Sequence, residues 1–308
     1  MKLNIEGAKK TLRRTAFPTN VTIESIAKCN YGCQMCPILK LDRPRGAMSF
    51  EIFRKVADEI ARENPATGLW FAYMGEPLLL GDGLIRLMEY AKQKGLTNTH
   101  LSTNASLLTL EMAHKVLASG VDEVILSMDA DTEETYKQIR IGGVFQEVVE
   151  NVEGILRLRN QMKATTRLIA QFVVMPENEG ELEPFKQRWL RQGATVKVRP
   201  KLGWGLAYES ECLTLPDSAR DFPCPWLMRT TVIQWDGRYA QCDADFNAEF
   251  SPGNIQTQTI KQVWNGELAV RRERHWALDF DFEPCRNCKD WQAGLSEFHE
   301  PEEAIAAG

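Results

Sequence analysis

Hydrophobic and polar positions follow two alternating rhythms between residue 20 and about residue 204. Short apolar or β-branched runs, typical of strands buried in a parallel sheet, are separated by longer stretches with a helical period. Six strand–helix units in series predict an α/β fold, with a parallel sheet inside and helices outside. The six predicted strands are Val21–Lys28, Leu69–Met74, Thr99–Thr103, Val121–Met128, Arg167–Met175 and Val196–Arg199.

The helical stretches place their apolar residues on one stripe. Between residues 53 and 60 the apolar positions fall at i, i+3, i+4 and i+7, and Ser49 is a suitable N-cap for this helix. Asp131 and Glu134 together resemble a capping box, which predicts that another helix starts at Asp131. The remaining predicted helices cover residues 82–94, 109–119, 144–161 and 181–192.

The strand–helix rhythm stops after Trp204, where tryptophans, prolines and isolated cysteines replace it. We therefore predict a domain boundary near residue 206, with one domain over residues 1–205 and a smaller one over residues 206–308. The last residues, Ser296–Gly308, are predicted to form a helical or frayed end.

The composition limits the partners and the compartment. The chain has 308 residues and a net charge of −5, which argues against nucleic acid as a main partner. No apolar run approaches the ~20 residues of a membrane helix, and the N-terminus lacks the apolar core of a secretory signal. We therefore expect a cytoplasmic protein with no membrane partner. Because thiols stay reduced there, its eight cysteines are expected to be metal ligands or catalysts before disulfides.

Three of these cysteines lie on one short loop. Cys29, Cys33 and Cys36 have the spacing C-x3-C-x2-C and come directly after the first predicted strand. A structural zinc site closes with four ligands, and each of the four irons of a cubic iron–sulfur cluster is normally held by a thiolate. Three thiolates on such a cube leave one iron open to bind another molecule.

This spacing resembles the signature of the radical S-adenosylmethionine (SAM) superfamily. The resemblance implies a curled, partial (β/α)6 barrel of the TIM type, with a [4Fe–4S] cluster on the three cysteines and SAM chelated by the open iron. It also implies that a reduced flavodoxin or ferredoxin supplies an electron, and that SAM is cleaved to methionine and a 5′-deoxyadenosyl radical. In barrels of this type the sites lie at the C-terminal ends of the strands, where the cysteine loop is predicted.

Other motifs fall where the resemblance implies SAM contacts. The segment 75–77, Gly-Glu-Pro, resembles the family's "GGE" motif reduced to one glycine, and Met35 stands where an aromatic residue usually packs near the adenine. Polar residues at the ends of the third and fourth strands are implied to contact SAM or the substrate, although each is equally suited to cap its strand. The implied SAM-binding residues are Gly75, Glu76, Asn104, Ser127, Asp129 and Met35.

A second set of cysteines follows the predicted boundary. Cys224, Cys242, Cys285 and Cys288, with the Trp-Asn-Gly-Glu segment 264–267, resemble the SPASM/twitch domain that carries auxiliary clusters. Four fitting cysteines imply a single, fully ligated [4Fe–4S] cluster of the twitch type, which transfers electrons and binds no substrate. Taken by spacing alone, the same four cysteines suit a zinc ribbon equally well.

Two residues near this set are candidates for the groups that decide how a substrate radical reacts further. Cys212 is the one cysteine left over, and it is either an inert buried thiol or a hydrogen-atom donor in epimerisation. Asp243, next to Cys242, resembles the aspartate base of sulfatase-maturing relatives, and it is either a base for alcohol dehydrogenation or a capping carboxylate.

The substrate is less defined. Lys197, Arg199 and Lys201 alternate near the end of the sixth strand, so they either bind a carboxylate or phosphate or form an exposed edge. The cysteine loop begins too early for the N-terminal recognition domain of many peptide-modifying relatives, which favours a small polar metabolite of the sugar, aminosugar or aminocyclitol type. We therefore expect a radical SAM oxidoreductase or epimerase. The alternatives are a radical SAM maturase of a ribosomal peptide and a non-catalytic iron–sulfur or zinc protein.

Overall fold

A computed structural model describes residues 3–301 of the chain. Within them, nine strands form one sheet in the order β8-β7-β1-β2-β3-β4-β5-β6-β9. Strands β1 to β6 run parallel in chain order and β7 pairs in parallel with β1, whereas β8 and β9 are antiparallel edge strands. The strands are β1 Asn20–Ile23, β2 Gly68–Trp70, β3 Thr99–Thr103, β4 Glu123–Ser127, β5 Arg167–Val174, β6 Thr195–Pro200, β7 Thr230–Ile233, β8 Tyr239–Ala240 and β9 Glu297–His299.

Helices follow each of the first five strands and cover the outer face of the sheet. The apolar stripe predicted between residues 53 and 60 is buried, and the ring centroid of Phe53 lies 5.9 Å from that of Phe71. The helices are α1 Ile5–Lys10, α2 Phe50–Glu63, α3 Asp82–Gln93, α4 Leu110–Ala118, α5 Glu133–Ile139, α6 Phe145–Met162, α7 Leu182–Arg191, α8 Pro225–Arg229, α9 Ile260–Asn265 and α10 Glu267–Trp276. None of the helices in the described part of the chain has the length and apolar character needed to cross a membrane.

The six predicted strands are present, but two of them end four or more residues earlier than predicted. β1 ends at Ile23 and β2 at Trp70, because the chain beyond each turns away from the parallel ladder. Ile26 instead forms an antiparallel bridge with Ala47, and the Ala27 amide donates to the Gly46 carbonyl at 2.8 Å. The residues after these strands therefore form loops at the C-terminal edge of the sheet.

One predicted helix cap is confirmed and another is wrong. Ser49 accepts a hydrogen bond from the Ile52 amide at 3.2 Å and caps α2. The N-cap of α5 is Thr132 and not Asp131, since the Thr132 side chain accepts from the Thr135 amide. The Asp131 carboxylate pairs instead with Arg188 at 3.1 Å.

The predicted helical or frayed end is wrong where the structure describes it. Glu297–His299 forms β9, which pairs antiparallel with β6 at the sheet edge, while residues 302–308 lie outside the described residues. The domain boundary near residue 206 remains a prediction. The sheet is continuous across it, because β7 pairs with β1.

A buried ion pair ties the segment after the cysteine loop to the β7–β8 hairpin. The Arg43 guanidinium donates to both carboxylate oxygens of Glu24, at 2.6 and 2.9 Å, and the two side chains are only 3% and 0% exposed. Glu24 also accepts from the Trp235 amide at 3.2 Å, and Arg43 donates to the Phe246 carbonyl at 2.8 Å. Burial raises the pKa of Glu24, although Arg43 opposes this shift. Four segments of the chain therefore meet at one pair of charges.

We predict that Arg43→Met lowers the free energy of unfolding by about 3–5 kcal/mol, because it leaves the Glu24 carboxylate buried without a counter-charge. Thermal unfolding of the reconstituted protein measures the effect. The double variant with Glu24→Gln is expected to recover part of the loss, and Arg14→Met at the exposed pair with Glu273 is expected to change little. A single variant as stable as the wild type would contradict the role given to this pair.

Candidate active site

A cavity of about 420 Å³ lies inside the curled sheet, at the C-terminal ends of the strands. Strands β1 to β7 and the segment 294–298 all contribute to its wall. The cavity brings together most of the predicted site residues, from both sides of the predicted domain boundary. Those that line it are Cys29, Met35, Cys33, Cys36, Gly75, Glu76, Asn104, Ser127 and Asp243.

The cysteine loop forms one end of the cavity. Backbone hydrogen bonds hold it against the segment after α5, since Gly32 donates to the Ile141 carbonyl at 2.9 Å and Gln34 to the Ile139 carbonyl at 3.0 Å. Burial raises the pKa of Cys29 to about 11 and that of Cys36 to about 12, and the charge of Cys33 adds to both rises. Thiols packed this closely favour the thiolate form only when a metal supplies positive charge. The donor set therefore fits an iron–sulfur cluster with three protein ligands.

Arg140 is a residue of this site that sequence reasoning missed. Its guanidinium is buried, donates to the Cys33 sulfur at 3.6 Å and forms an ion pair with Asp129. An arginine directly after a seven-residue helix looks like an ordinary surface residue in the sequence. Only the fold places this positive charge beside a cysteine thiolate.

Gly75 lets the ends of β1 and β2 approach closely. Its φ angle is +94°, and a Cβ atom at this position would lie 2.2 Å from the Ile26 carbonyl oxygen. The following Glu76 is buried, which raises the pKa of its carboxyl group. That carboxylate accepts from the Thr103 hydroxyl and the Asn104 amide, both at 2.7 Å. Gly75 and Glu76 therefore bring the ends of β2 and β3 and the segment after β1 together.

The polar residues predicted at the strand ends have different positions. Asn104 donates to the Asn30 side chain at 3.0 Å beside the cysteine loop, and Ser127 accepts from Gln171 at 3.3 Å inside the cavity. Asp129 does not line the cavity. Its carboxylate is fully buried, where it accepts from the Val173 amide at 2.8 Å and pairs with Arg140. The Asp129 carboxylate therefore interacts with other protein groups at the end of β4.

The four later cysteines form a second, buried site. Burial raises the pKa of Cys242 well above its usual range, and the charges of Cys285, Cys224 and Cys288 raise it further. The Gln241 side chain donates to the Cys285 sulfur at 3.3 Å. Among residues 3–301, no group of three or more histidine, cysteine or carboxylate side chains is gathered for a single metal ion. A four-thiolate set of this kind supplies a ligand for each iron of a closed cluster.

Asp243 and Cys212 lie in different surroundings. Asp243 lines the cavity, burial raises the pKa of its carboxyl group to about 6, and its Oδ2 atom is buried with no hydrogen-bond partner among the described residues. The Tyr73 hydroxyl donates to the Asp243 backbone carbonyl at 2.7 Å. Cys212 does not line the cavity, and its thiol donates to the Val174 carbonyl at 3.5 Å.

Of the three alternating basic residues Lys197, Arg199 and Lys201, only the first two line the cavity. Lys197 and Arg199 belong to β6 and line the cavity, and burial lowers the pKa of both, that of Lys197 to about 7. Lys201 lies beyond the end of β6 at Pro200 and does not line the cavity. Its ammonium group faces Glu211 at 3.6 Å.

Comparisons with known proteins agree with this arrangement. The model of the radical SAM superfamily matches residues 23–187, and the model of the SPASM iron–sulfur cluster-binding domain matches residues 224–289. The tungsten-containing aldehyde ferredoxin oxidoreductase cofactor-modifying protein of Pyrococcus furiosus is 22% identical over 288 residues, covering 80% of each chain. A probable GTP 3′,8-cyclase of Saccharolobus solfataricus is 28% identical over 128 residues, which are 42% of this chain and 40% of that protein.

Solved structures share the fold. BtrN in complex with AdoMet and 2-DOIA has a TM-score of 0.64 at 16% identity and covers 92% of this chain and 97% of its own. Streptococcus suis SuiB bound to precursor peptide SuiA has a TM-score of 0.68 at 12% identity and covers 94% of this chain and 73% of its own.

These matches confirm the expected partial α/β barrel and the two expected cofactor sites, one for SAM with its [4Fe–4S] cluster and one for an auxiliary iron–sulfur cluster. They also replace the zinc ribbon and the non-catalytic protein as interpretations. The chain therefore belongs to the radical SAM superfamily, and it carries a SPASM domain after its radical SAM domain.

Proposed function

We propose that this enzyme dehydrogenates an alcohol carbon of a small polar metabolite. The observation that carries the proposal is the position of Asp243, which lines the same cavity as the cysteine loop while one of its buried carboxylate oxygens lacks a hydrogen-bond partner among residues 3–301. A carboxylate in this position is free to accept a proton from a bound hydroxyl group. Cys212, the candidate hydrogen donor for epimerisation, does not line the cavity.

In this proposal seven cysteines hold the clusters and Asp243 acts as the base. Cys29, Cys33 and Cys36 would hold the first cluster, and the four cysteines after residue 206 would hold the second. When bound, these groups and SAM supply a 5′-deoxyadenosyl radical that removes a hydrogen atom from carbon, and an acceptor for one electron. Asp243 removes the hydroxyl proton, which completes the loss of two protons and two electrons from the alcohol.

The cavity supports a substrate of small size. Its volume of about 420 Å³ lies in the range of small-molecule sites, and it is lined by hydroxyl, amide and charged side chains that suit a polar molecule. BtrN, which matches over nearly its whole length, is described in complex with AdoMet and 2-DOIA. SuiB, described with a precursor peptide, is the longer chain of the two, and this chain spans 73% of it. We further propose that the protein works in the cytoplasm with a reduced flavodoxin or ferredoxin as its electron donor.

The proposal is tested with the reconstituted enzyme, SAM, a chemical reductant and a panel of sugars, aminosugars and aminocyclitols deuterated at carbinol carbons. We expect deuterium in 5′-deoxyadenosine and a product two mass units lighter than the unlabelled substrate. SAM cleavage that no member of the panel stimulates, together with deuterium transfer from a peptide, would favour the peptide-maturase alternative.

We predict that Asp243→Asn slows product formation by roughly 10²–10⁴-fold, since an amide cannot accept the hydroxyl proton. Deuterium transfer to 5′-deoxyadenosine is expected to persist, because hydrogen-atom removal precedes the proton transfer. Mass spectrometry of both products measures the two steps separately. Asp236→Asn, at an aspartate of the β7–β8 turn paired with Arg238, is the matched control and should retain product formation. Equal loss of both products in Asp243→Asn would indicate damage to the site and not the loss of a base.

We predict that Cys212→Ala leaves turnover unchanged, because this thiol lies outside the cavity wall and is bonded to a backbone carbonyl. The measurement is product formation in D₂O, with mass analysis of the carbon-bound hydrogens. In epimerisation a solvent-exchanged thiol would return deuterium to the carbon, and the alanine variant would lose that product. Deuterium on the product carbon, or loss of that product in Cys212→Ala, would contradict the dehydrogenase proposal and support epimerisation.

A further inference from the structure

Two cations in the cavity lack partners in the protein. Lys197 and Arg199 both line the cavity, and across residues 3–301 neither side chain has a hydrogen bond or an ion pair. Other basic residues at the cavity are engaged: Arg140 pairs with Asp129, and Arg229 donates to the carbonyls of Pro225 and Gly294. The two basic side chains of the cavity that no protein acceptor engages are therefore both on one strand, β6.

Their positions on β6 make them neighbours on one face. They are two residues apart on a strand, so both side chains point into the barrel. Lys197 is in register with Gln171 of β5, which is itself in register with Ser127 of β4. A row of polar side chains therefore leads from the middle of the sheet to the two cations, and it provides hydrogen-bonding groups beside them.

The ammonium group of Lys197 has only a weak alternative partner. It lies 5.5 Å from the centroid of the Trp70 ring, near the outer limit of a cation–π contact. Burial lowers its pKa to about 7, and the neighbouring Arg199 adds to the decrease. Keeping two like charges together in a desolvated wall destabilises the folded protein unless an anion balances them.

We propose that Lys197 and Arg199 form a subsite for an anionic group of the substrate, a carboxylate or a phosphate. The planar guanidinium donates to two oxygens of such a group, while the ammonium contributes a point charge from the adjacent position. The inference rests on the proposed function, and it narrows the substrate from a polar metabolite to an acidic one.

Within this subsite Arg199 faces the charges of Asp129 and Cys36, whereas Lys197 faces β2. Arg140 donates to the Cys33 sulfur at the cysteine end, whereas Lys197 is in contact range of Trp70 on β2. An anion held at Lys197 therefore extends a substrate across the cavity from β6 towards Asp243, which lies on the segment after β8.

The test uses the reconstituted enzyme with SAM and without reductant, so that no turnover occurs. Inorganic phosphate and acetate are titrated at constant ionic strength, with chloride as the reference, and the midpoint of thermal unfolding and the heat of binding are recorded. We expect one of the two anions to raise the midpoint. A stronger effect of phosphate indicates a phosphorylated substrate, and a stronger effect of acetate indicates a carboxylic acid.

We predict that Lys197→Met reduces the affinity for the anion by at least about tenfold, the change expected for one lost charged contact. The same variant is expected to unfold at a higher temperature than the wild type without anion, because it removes one of two neighbouring, partly desolvated positive charges. A residue needed only for structure would give the opposite shift. Lys137→Met, at the exposed pair with Glu133 on α5, is the matched control and should leave anion binding unchanged.

Three results would overturn the inference: no stabilisation by either anion, equal anion binding by Lys197→Met and the wild type, or a loss of SAM affinity in the variant. The last result would assign the two cations to SAM itself. Formation of 5′-deoxyadenosine on reduction is measured in parallel. Its absence from the wild-type enzyme would count against the proposed function, whereas the anion titration without reductant judges the subsite alone.

Discussion

The close approach of two backbones at residue 75 is the constraint on which the site depends. A side chain there would overlap the Ile26 carbonyl, so only glycine allows the end of β2 to rest against the segment after β1. The next amide, of Glu76, then donates to the Lys28 carbonyl at 2.9 Å, directly before the first cysteine of the loop. The Glu76 carboxylate binds the end of β3. One glycine thus fixes where Cys29 lies relative to the strand ends that form the cavity.

The buried pair of Glu24 and Arg43 extends this frame to the other end of the cavity. It binds the Trp235 amide and the Phe246 carbonyl, which lie before and after the segment that carries Cys242 and Asp243. A buried pair of this kind contributes little net stability compared with apolar packing, but removing one partner is costly. Its effect is therefore to specify geometry, because it joins the segments on either side of the cysteine loop to the segments on either side of the candidate base.

The sequence predicted the parts of the fold that depend on local pattern. Buried parallel strands are continuous apolar runs, so the pattern predicted their positions. The cysteine spacing, with the Trp-Asn-Gly-Glu segment for the second set, predicted two cofactor sites. The end of β1 was predicted too late, because the pairing of Ile26 with Ala47 joins segments whose contact no local pattern indicates. Asp131 and Thr132 are both good N-caps, and the choice depends on where the chain turns after β4. Arg140 was missed for a related reason, since its burial is created by residues far away in the sequence.

The cations on β6 and the Asp243 carboxylate face one cavity without forming an ion pair. Lys197 and Arg199 stand on β6 and Asp243 follows β8, and the charge of Arg199 opposes the rise that burial causes in the pKa of Asp243, although no ion pair joins them among the described residues. In a collapsed cavity these groups would neutralise one another. In this barrel the folded sheet keeps them separate and partly desolvated, which lowers the free energy of unfolding. A ligand with an acidic group at one end and a hydroxyl at the other would satisfy both sides at once, and it would be oriented by the same interactions that bind it.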